Sequence, residues 1–284
     1  MVETGHVPAV LQMTYQPLGG VARPVELLTF DRLRELSTGG TQRADFHVVA
    51  VVDDGQGAVT VDFHRHRLGP RSAVWIPPGA VHRWDDIGAL SGRLVLFVPS
   101  APATTATRRL TAAPNQAPTW TAGPDWPLLT AALDHLELEA AAGPSELAGL
   151  LLSALLLRLD PPGRDPEPDG SLFALFRDTV EAGYRTHRDA GHYASMLGYA
   201  PRTLSRAVQH ATGRTAKAYL TERVVLEAKR LLAHDGFTAA RCARELGFPD
   251  ATSFSVFFRT ATGLPPARWL AQSRDVAADH PPAS

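Results

Sequence analysis

Hydrogen-bonding side chains recur in two short stretches near the end of the chain, at a spacing that suits contact with DNA. They are Arg202, Thr203, Ser205, Arg206 and Gln209 in the first stretch and Thr252, Ser253, Ser255 and Arg259 in the second. A guanidinium group forms paired hydrogen bonds to a guanine edge, and a hydroxyl group makes a single hydrogen bond to a base. We therefore expect both stretches to contact double-stranded DNA.

A repeated local plan positions these side chains. Four residues recur 49 positions later, so that Ala194, Leu197, Gly198 and Tyr199 are matched by Ala243, Leu246, Gly247 and Phe248. The predicted helices that follow, 201–212 and 250–262, match at an offset of 50, and a glycine closes each of them. A short helix, a glycine turn and a second helix make a helix-turn-helix motif. The tandem pair predicts two readers of one duplex, joined by a predicted helix over 216–233.

The two predicted reading helices present unequal outer faces. At 100° per residue, Leu204 faces inward in the first helix and Phe254 faces inward in the second. Arg206 then points outward, and Val256 takes the equivalent outward position. Because arginine can pair with a guanine and valine offers only apolar contact, the first helix is predicted to supply more of the base discrimination. The alternative is that these arginines only cover a solvated helix face.

The charge distribution supports DNA binding by the C-terminal part of the chain. Residues 171–284 carry 13 Arg and two Lys against 10 acidic residues, whereas residues 1–170 carry 13 Arg against 19 acidic residues. Lys and Arg side chains that neutralise phosphates provide much of the affinity for DNA. The formal net charge of -1 thus combines an acidic part with a basic part.

The cysteine content and the apolar segments predict a cytoplasmic protein with no membrane partner. The single cysteine, Cys242, excludes an intramolecular disulfide and favours a reducing compartment, and its neighbours predict a core position. No targeting pattern is visible at the N-terminus. The longest apolar stretch, 147–159, is interrupted by Ser153 and Arg158 and is too short to span a bilayer.

The first part of the chain has the pattern of a β-domain. Short runs rich in Val, Leu, Phe and Trp, separated by turn residues, predict strands over 25–30, 46–52, 58–67, 73–77 and 93–98. A connection over 100–121, rich in Thr, Ala and Pro, follows the last strand. Many short strands with Gly and Pro turns predict a small antiparallel barrel or sandwich.

Two helices and a linker are predicted between the β-domain and the repeats. The first helix covers 127–141, and the second covers 146–159 and is apolar on nearly every side. We expect the second helix to pack both on its own domain and on a partner subunit, because such a helix must be buried on more than one face. A central helix within a monomer is the alternative. The prolines of 161–170 bar a helix and predict an exposed linker.

Short motifs in the C-terminal part occur in a consistent order and spacing. They include Tyr193-Ala-x-x-Leu-Gly198, Arg202-Thr-Leu-Ser-Arg206, Ala243-x-x-Leu-Gly-Phe248, Phe254-Ser-x-Phe-Phe-Arg259 and Thr262-Gly-Leu-Pro265. Through these motifs, residues 172–270 resemble the AraC/XylS family of bacterial transcription regulators. Residues 25–99 resemble the cupin-like ligand-binding domain found upstream in many members, through Val61-Asp-Phe63 and Pro77-Pro-Gly-Ala-Val-His82.

Three histidines raise the alternative of a metal-dependent cupin enzyme. His64 and His66 alternate onto one face of a predicted strand, and His82 follows a Pro-x-Gly-x-x-His pattern that supplies a ligand in catalytic cupins. Metal cupins place their His-x-His pair on an earlier strand and follow it with a glutamate. We therefore expect no metal, no cofactor and no enzyme activity. A barrel that serves only dimerisation, in an effector-independent DNA-binding protein, is a further alternative.

Together, the residues and the resemblance predict an α+β multidomain transcription regulator that binds specific DNA sequences and responds to a small-molecule effector. The expected order is a cupin-like antiparallel β-barrel domain over 1–122, a helical dimerisation segment over 123–160, a linker over 161–170, an all-α double helix-turn-helix domain over 171–273 and a disordered tail over 274–284. The expected partners are promoter DNA, the effector, a second copy of the chain and RNA polymerase.

Overall fold

The structure, a computed structural model of the full chain, describes residues 10–15, 23–37, 39–112, 119–121, 125–159 and 171–278. It divides into two compact units, Pro8–Arg164 and Asp165–Pro281. The predicted linker at 161–170 lies outside the described residues, and so do residues 279–284 of the predicted tail.

The described part of the N-terminal unit contains ten strands and four helices. The strands are β1 (Leu11–Met13), β2 (Val25–Thr29), β3 (Gln42–Ala44), β4 (His47–Asp54), β5 (Gly57–Val61), β6 (His64–Leu68), β7 (Ser72–Ile76), β8 (Val81–Asp86), β9 (Ser91–Phe97) and β10 (Thr119–Thr121). The helices are α1 (Phe30–Leu36), α2 (Thr105–Ala112), α3 (Trp126–Ala142) and α4 (Glu146–Arg158). Helix α2 and strand β10 lie within 100–121, where we expected only a connection.

The strands form two five-stranded sheets that enclose an apolar core. One sheet has the order β1-β3-β8-β5-β6, and the other has the order β10-β7-β4-β9-β2. The described strand pairs are antiparallel except for β1 with β3, which is parallel. Side chains from both sheets, among them Val48, Val59 and Leu94, form the core. The predicted antiparallel β-domain is thereby confirmed.

Strand β4 is buried on both faces, which explains its unbroken apolar run. Val48, Ala50 and Val52 point into the core between the sheets, whereas Val49 and Val51 belong to a second core on the outer face. Helices α3 and α4 cover that outer face with Leu129, Leu133, Leu136, Ala148, Leu152, Leu155 and Leu156. The two helices, which we expected in a separate segment over 123–160, therefore pack on the sheet within the same compact unit. Their role in dimerisation stays a prediction.

One predicted strand, 58–67, is in fact a hairpin of β5 and β6. The chain reverses at Asp62, whose φ of 53° lies in the left-handed region. The backbone N–H of Asp62 donates to the carbonyl of Val81 at 2.6 Å, and Asp62 Oδ1 accepts a hydrogen bond from the N–H of Val81 at 3.2 Å. Aspartate tolerates this conformation when its side chain is hydrogen-bonded locally. The turn carries no glycine, so the sequence pattern missed it.

The described part of the C-terminal unit consists of seven helices. They are α5 (Leu172–Gly183), α6 (Ala190–Met196), α7 (Pro201–Thr212), α8 (Ala216–Ala233), α9 (Ala239–Glu245), α10 (Ala251–Thr262) and α11 (Pro266–Ala278). Side-chain caps explain several of the helix starts, because a side-chain oxygen satisfies a free backbone N–H in the first turn. The capping residues are Ser171, Asp189, Thr215, Thr238 and Asp250.

Helix α8 forms the centre of the C-terminal unit and packs against both α7 and α10. Its apolar residues join Leu204, Val208, Phe254 and Phe258 in one core, in which Cys242 is also buried, as predicted. The all-α class predicted for this region is thus confirmed. The predicted disordered tail is wrong over residues 274–278, because α11 continues to Ala278 and carries Trp269 onto that core.

Gly92 is one of the positions in the N-terminal unit where a side chain is incompatible with the fold. It has a φ of 137°, next to an irregularity in the pairing of β4 with β9, and an added Cβ would overlap the carbonyl oxygen of Val51. We expect Gly92→Ala to lower the free energy of unfolding by about 2 to 3 kcal/mol. Urea unfolding followed by tryptophan fluorescence measures it, since four of the five tryptophans lie in this unit.

Gly88→Ala is the matched control for that substitution. Nothing lies within 4 Å of an added Cβ at Gly88, and its φ is not in the left-handed region. We expect a change within about 0.5 kcal/mol. Equal unfolding midpoints for the two variants would contradict the close approach at Gly92.

Candidate nucleic-acid interface and barrel cavity

Helices α7 and α10 have the same pattern of burial at an offset of 50 residues. Leu204 and Val208 are fully buried in α7, and Phe254 and Phe258 are fully buried in α10. The predicted DNA-binding residues lie on the other sides of the two helices. Arg202, Thr203, Arg206, Gln209, Thr252 and Arg259 are exposed, and Ser205, Ser253 and Ser255 are partly buried. The two helices therefore present two similar surfaces to solvent.

The arginines on these surfaces are available for a partner. The side chains of Arg202, Arg206 and Arg259 make no hydrogen bond or ion pair with another residue in the described part of the chain. A free guanidinium group on a helix surface offers five N–H donors to a phosphate or to a guanine edge. Two such groups lie on α7 and one lies on α10.

Two of the predicted contact residues already make hydrogen bonds within their own helices. Gln209 Nε2 donates to the carbonyl of Gly213 at 2.7 Å and so caps the end of α7. Ser255 Oγ donates to the carbonyl of Ala251 at 2.7 Å. The Ser255 oxygen can still accept a hydrogen bond, and the Gln209 amide keeps a second N–H donor and its carbonyl acceptor while one N–H is used in the cap.

Arg188, which lies between α5 and α6, positions the second helix-turn-helix and was not singled out from the sequence. Its Nη1 donates to the carbonyl of Leu246 at the end of α9, and its guanidinium lies 3.9 Å from the ring centroid of Phe248. Arginine stacks on aromatic faces through a cation–π contact. Gly247, in this turn, has a φ of 66°, and an added Cβ would contact the carbonyl of Arg185. In the sequence, Arg188 is a single arginine between two helices, and no motif or spacing rule marks it as a positioning residue.

A buried network of charges joins α5 to α8. Arg223 Nε lies 2.9 Å from both carboxylate oxygens of Glu181, and Arg223 Nη1 lies 3.4 Å from Glu227 Oε2. Arg185 and Arg230 also contact Glu227, whose side chain is 2% exposed. Burial opposes the charge of Arg223, but Glu181, Tyr184 and Glu227 together outweigh that effect and raise the pKa of the guanidinium. The network fixes the helix that lies between the two reading helices.

A cavity of about 160 Å³ lies between the two sheets of the N-terminal unit. Most of its wall is apolar, with Leu33 from α1, Val48 from β4 and Trp84 from β8. Two polar atoms of the wall, Tyr15 Oη and His82 Nδ1, are buried and have no hydrogen-bond partner among the described residues. Burial lowers the pKa of His82 to about 4, so this side chain is neutral at pH 7.

The three histidines considered as metal ligands are differently placed. His82 is 3% exposed and lies in the cavity wall, whereas His64 and His66 lie on β6 at the edge of the sheet, where His64 is exposed. Within the described residues, no group of three or more His, Cys, Asp or Glu side chains is arranged to hold a metal ion. In the same part of the chain, no helix is long and apolar enough to cross a membrane.

Two family models match the chain in regions that correspond to the two units. Residues 23–159 match the AraC-like ligand binding domain, and residues 193–272 match a helix-turn-helix domain. Together the two matches cover about three quarters of the chain. The first match includes helices α3 and α4 as well as strands β2 to β10.

Similar proteins include two bacterial transcription activators. The chain is 29% identical over 115 residues to the HTH-type transcriptional activator RhaR of Cronobacter sakazakii, covering 40% of this chain and 41% of the relative. It is 32% identical over 85 residues to RhaR of Klebsiella pneumoniae, covering 30% of each protein. The match therefore spans less than half the length of each relative. A structure of Vibrio cholerae ToxT with bound unsaturated fatty acid covers 87% of this chain and 94% of its own at 10% identity, with a TM-score of 0.42.

A ligand-binding β-domain combined with a tandem helix-turn-helix domain defines a class of DNA-binding transcription regulators. The chain belongs to the AraC/XylS family of these regulators, as the sequence motifs predicted. The family assignment also supports the prediction that the chain is not an enzyme.

The buried charges of α8 generate a stability prediction. We expect Glu227→Gln to lower the free energy of local unfolding of α8 by about 3 to 5 kcal/mol, because three arginines lose their shared buried carboxylate. Native-state hydrogen exchange of the α8 amides measures this quantity directly. The control is Glu222→Gln on the same helix, since Glu222 is half exposed in its pair with Arg214. That change should stay within about 0.5 kcal/mol, and equal effects at the two sites would contradict the network's role.

Proposed function

We propose that the protein is a sequence-specific transcription regulator that binds promoter DNA with α7 and α10 and responds to a small effector in the barrel cavity. The observation that carries this proposal is the pair of matched helix surfaces with free arginines. A bare guanidinium on a helix surface has no structural role within its own unit. Phosphates and guanine edges are the partners that suit it. The proposed site of action is the cytoplasm.

The geometry of α8 supports simultaneous binding by both readers. Its 18 residues correspond to about 27 Å at 1.5 Å per residue. This length is somewhat below the roughly 34 Å repeat of B-DNA, so α7 and α10 can reach successive major grooves on one face of a duplex that bends modestly. Both α7 and α10 pack on α8, so this helix carries the separation between them.

The two readers are proposed to contribute unequally to specificity. Helix α7 presents Arg202 and Arg206, whereas α10 presents Val256 at the position that corresponds to Arg206. Ser255, next to Val256, uses its hydroxyl proton within the helix. Helix α7 therefore supplies most of the base discrimination, and α10 supplies mainly positioning contacts through Arg259 and the backbone.

The proposed effector site is the barrel cavity. A neutral, buried His82 and an apolar wall suit a small ligand better than they suit a side-chain-filled structural barrel. An operator affinity and footprint that stay unchanged with every molecule that binds the cavity would contradict the regulatory part of the proposal. The expected contact with RNA polymerase stays a prediction.

A homodimer is proposed through the solvent face of α4. One face of this helix packs on the barrel, while Leu147, Leu150 and Leu157 are 43%, 48% and 51% exposed. With the exposed Ala154, they form a stripe at the 3-4-3 spacing that packs one helix against another. In this proposal, one apolar face of α4 packs on the β-domain and the opposite apolar face packs on a second copy of the chain.

Arg206 provides the test of DNA binding. On duplexes selected from a random library by the wild-type protein, we expect Arg206→Ala to weaken binding by about 1 to 3 kcal/mol and to relax specificity at one base pair. If Arg206 contacts a phosphate instead, the loss should be uniform across sequences and the salt slope should fall by about one unit. Fluorescence anisotropy at several salt concentrations separates the two results.

Arg32→Ala is the matched control for that experiment. Arg32 is an exposed arginine on α1 of the N-terminal unit that pairs with Glu35, so its removal changes the net charge equally. Its affinity and salt slope should equal those of the wild type. The proposal fails if the wild type selects no sequence, or if the Arg206 and Arg32 variants bind alike.

The dimer is tested by placing a charge in the α4 stripe. We expect Leu150→Glu to shift the protein from dimer to monomer, because a buried carboxylate at a helix-helix contact would have no partner. Sedimentation velocity at micromolar concentration measures the change. Leu138→Glu is the control, since Leu138 is 73% exposed on α3 and lies off the stripe. A wild type that sediments as a monomer, or a dimeric Leu150 variant, would contradict the proposed interface.

A further inference from the structure

We propose that the barrel cavity binds a neutral, mainly apolar molecule about the size of a substituted benzene ring, anchored by one hydroxyl or carbonyl group at Tyr15 and His82. The inference rests on the proposed effector site and adds to it the chemical class of the ligand. It follows from the volume of the cavity, its lining and its charges.

The volume limits the size of the ligand. An apolar protein cavity of about 150 Å³ is known to bind benzene, so the 160 Å³ here suits about six to ten non-hydrogen atoms. Sites for larger organic ligands measure about 300 Å³ or more. A nucleotide, a peptide or a long acyl chain therefore does not fit within this volume.

The lining selects an apolar body. Leu28 and Leu33 contribute side chains from β2 and α1, and Leu94 and Leu96 contribute side chains from β9. Trp84, on the facing sheet, adds an aromatic wall. A ligand rich in hydroxyl groups would lose its hydrogen bonds to water against these side chains without replacement. A single ring or a short branched chain has no such hydrogen bonds to lose and packs against these side chains.

Two buried polar atoms select one polar group on the ligand. Tyr15 Oη and His82 Nδ1 belong to residues of the cavity wall and have no hydrogen-bond partner in the described part of the chain. Buried polar groups in folded proteins are almost always hydrogen-bonded. A phenol can donate or accept, and a neutral imidazole nitrogen can do either according to its tautomer. A ligand hydroxyl, which donates and accepts, or a ligand carbonyl, which accepts, can therefore form a hydrogen bond with one of these atoms.

The charges around the cavity exclude an acidic ligand. The described lining residues include one carboxylate, Glu26, and neither a lysine nor an arginine. Arg23 lies close enough to influence Tyr15, but its Nη1 donates to the carbonyl of Ala140 at 2.8 Å. A buried carboxylate ligand would thus lack a cation and would face Glu26. Glu26 is itself engaged by another group, so it does not call for a cationic ligand.

Four probes of nearly equal size test the assignment on the full chain. They are benzyl alcohol, toluene, benzoate and benzylamine, titrated by calorimetry at pH 7.5. We expect benzyl alcohol to bind about three- to tenfold more tightly than toluene, because it adds one hydrogen-bonding group. Benzoate and benzylamine should bind at least tenfold more weakly than benzyl alcohol, because the cavity would strip water from their charge.

Two substitutions locate the anchor. Tyr15→Phe removes only the phenolic oxygen, and His82→Leu removes the imidazole, so each should bring the affinity for benzyl alcohol towards that for toluene. The toluene affinity serves as the internal check that the cavity still forms. Tyr199→Phe is the matched control, since Tyr199 is an exposed tyrosine of the C-terminal unit, and it should change none of the four affinities.

The possible results of these titrations test separate parts of the proposal. Tightest binding of benzoate or benzylamine overturns the neutral class, and binding of none of the four probes overturns the ligand assignment. An unchanged preference for benzyl alcohol in both anchor variants overturns the roles of Tyr15 and His82. DNA binding by the Arg206 and Arg32 variants is measured without any probe, so the DNA-binding function stands or fails separately.

Discussion

The burial of Glu227 among three arginines is the interaction on which the C-terminal unit depends. If the Glu227 carboxylate moved out of the core, Arg223 would lose one of its charged partners in a region closed to water. A buried charge that loses its partner is far more costly than an exposed one, so the network favours the packing of α5 against α8 that keeps these pairs. Helices α7 and α10 both pack on α8, so their positions on α8 set the distance between the two proposed reading helices. A pair of readers held at a variable distance would lose the advantage of binding one duplex together.

In the N-terminal unit, a single strand lines the cavity with one face and supports the outer helices with the other. Along β9, Leu94 and Leu96 face the cavity, while Val95 and Phe97 pack under α3 and α4. Alternation along a strand makes this division automatic. A molecule in the cavity therefore touches the same backbone that supports the exposed stripe of α4. The proposed effector site and the proposed dimer contact are separated by one sheet and by the α4 helix that packs on it.

The helix-turn-helix pair was predicted well from the sequence because the fold requires glycine at fixed positions there. Gly213 and Gly263 end their helices with φ values of 72° and 81°, which few other residues adopt. The helix ends can therefore be recognised from a single sequence. The barrel was predicted less completely. The hairpin at Asp62 depends on hydrogen bonds with Val81, 19 residues away, and the cap made by Gln209 depends on a rotamer. The cavity with Tyr15 and His82 is formed by strands distant in sequence, so no local pattern could reveal it.

Helix α10 differs from α7 in how firmly its inner face is fixed. Phe254 and Phe258 are completely buried, and Phe257 packs against the same core, so three aromatic rings hold the helix in place. Thr252 and Val256 contribute little to that packing, because both are exposed. Substitutions at these two positions are therefore nearly neutral for stability. The proposed second reader can therefore exchange these two outward side chains without loss of its fold.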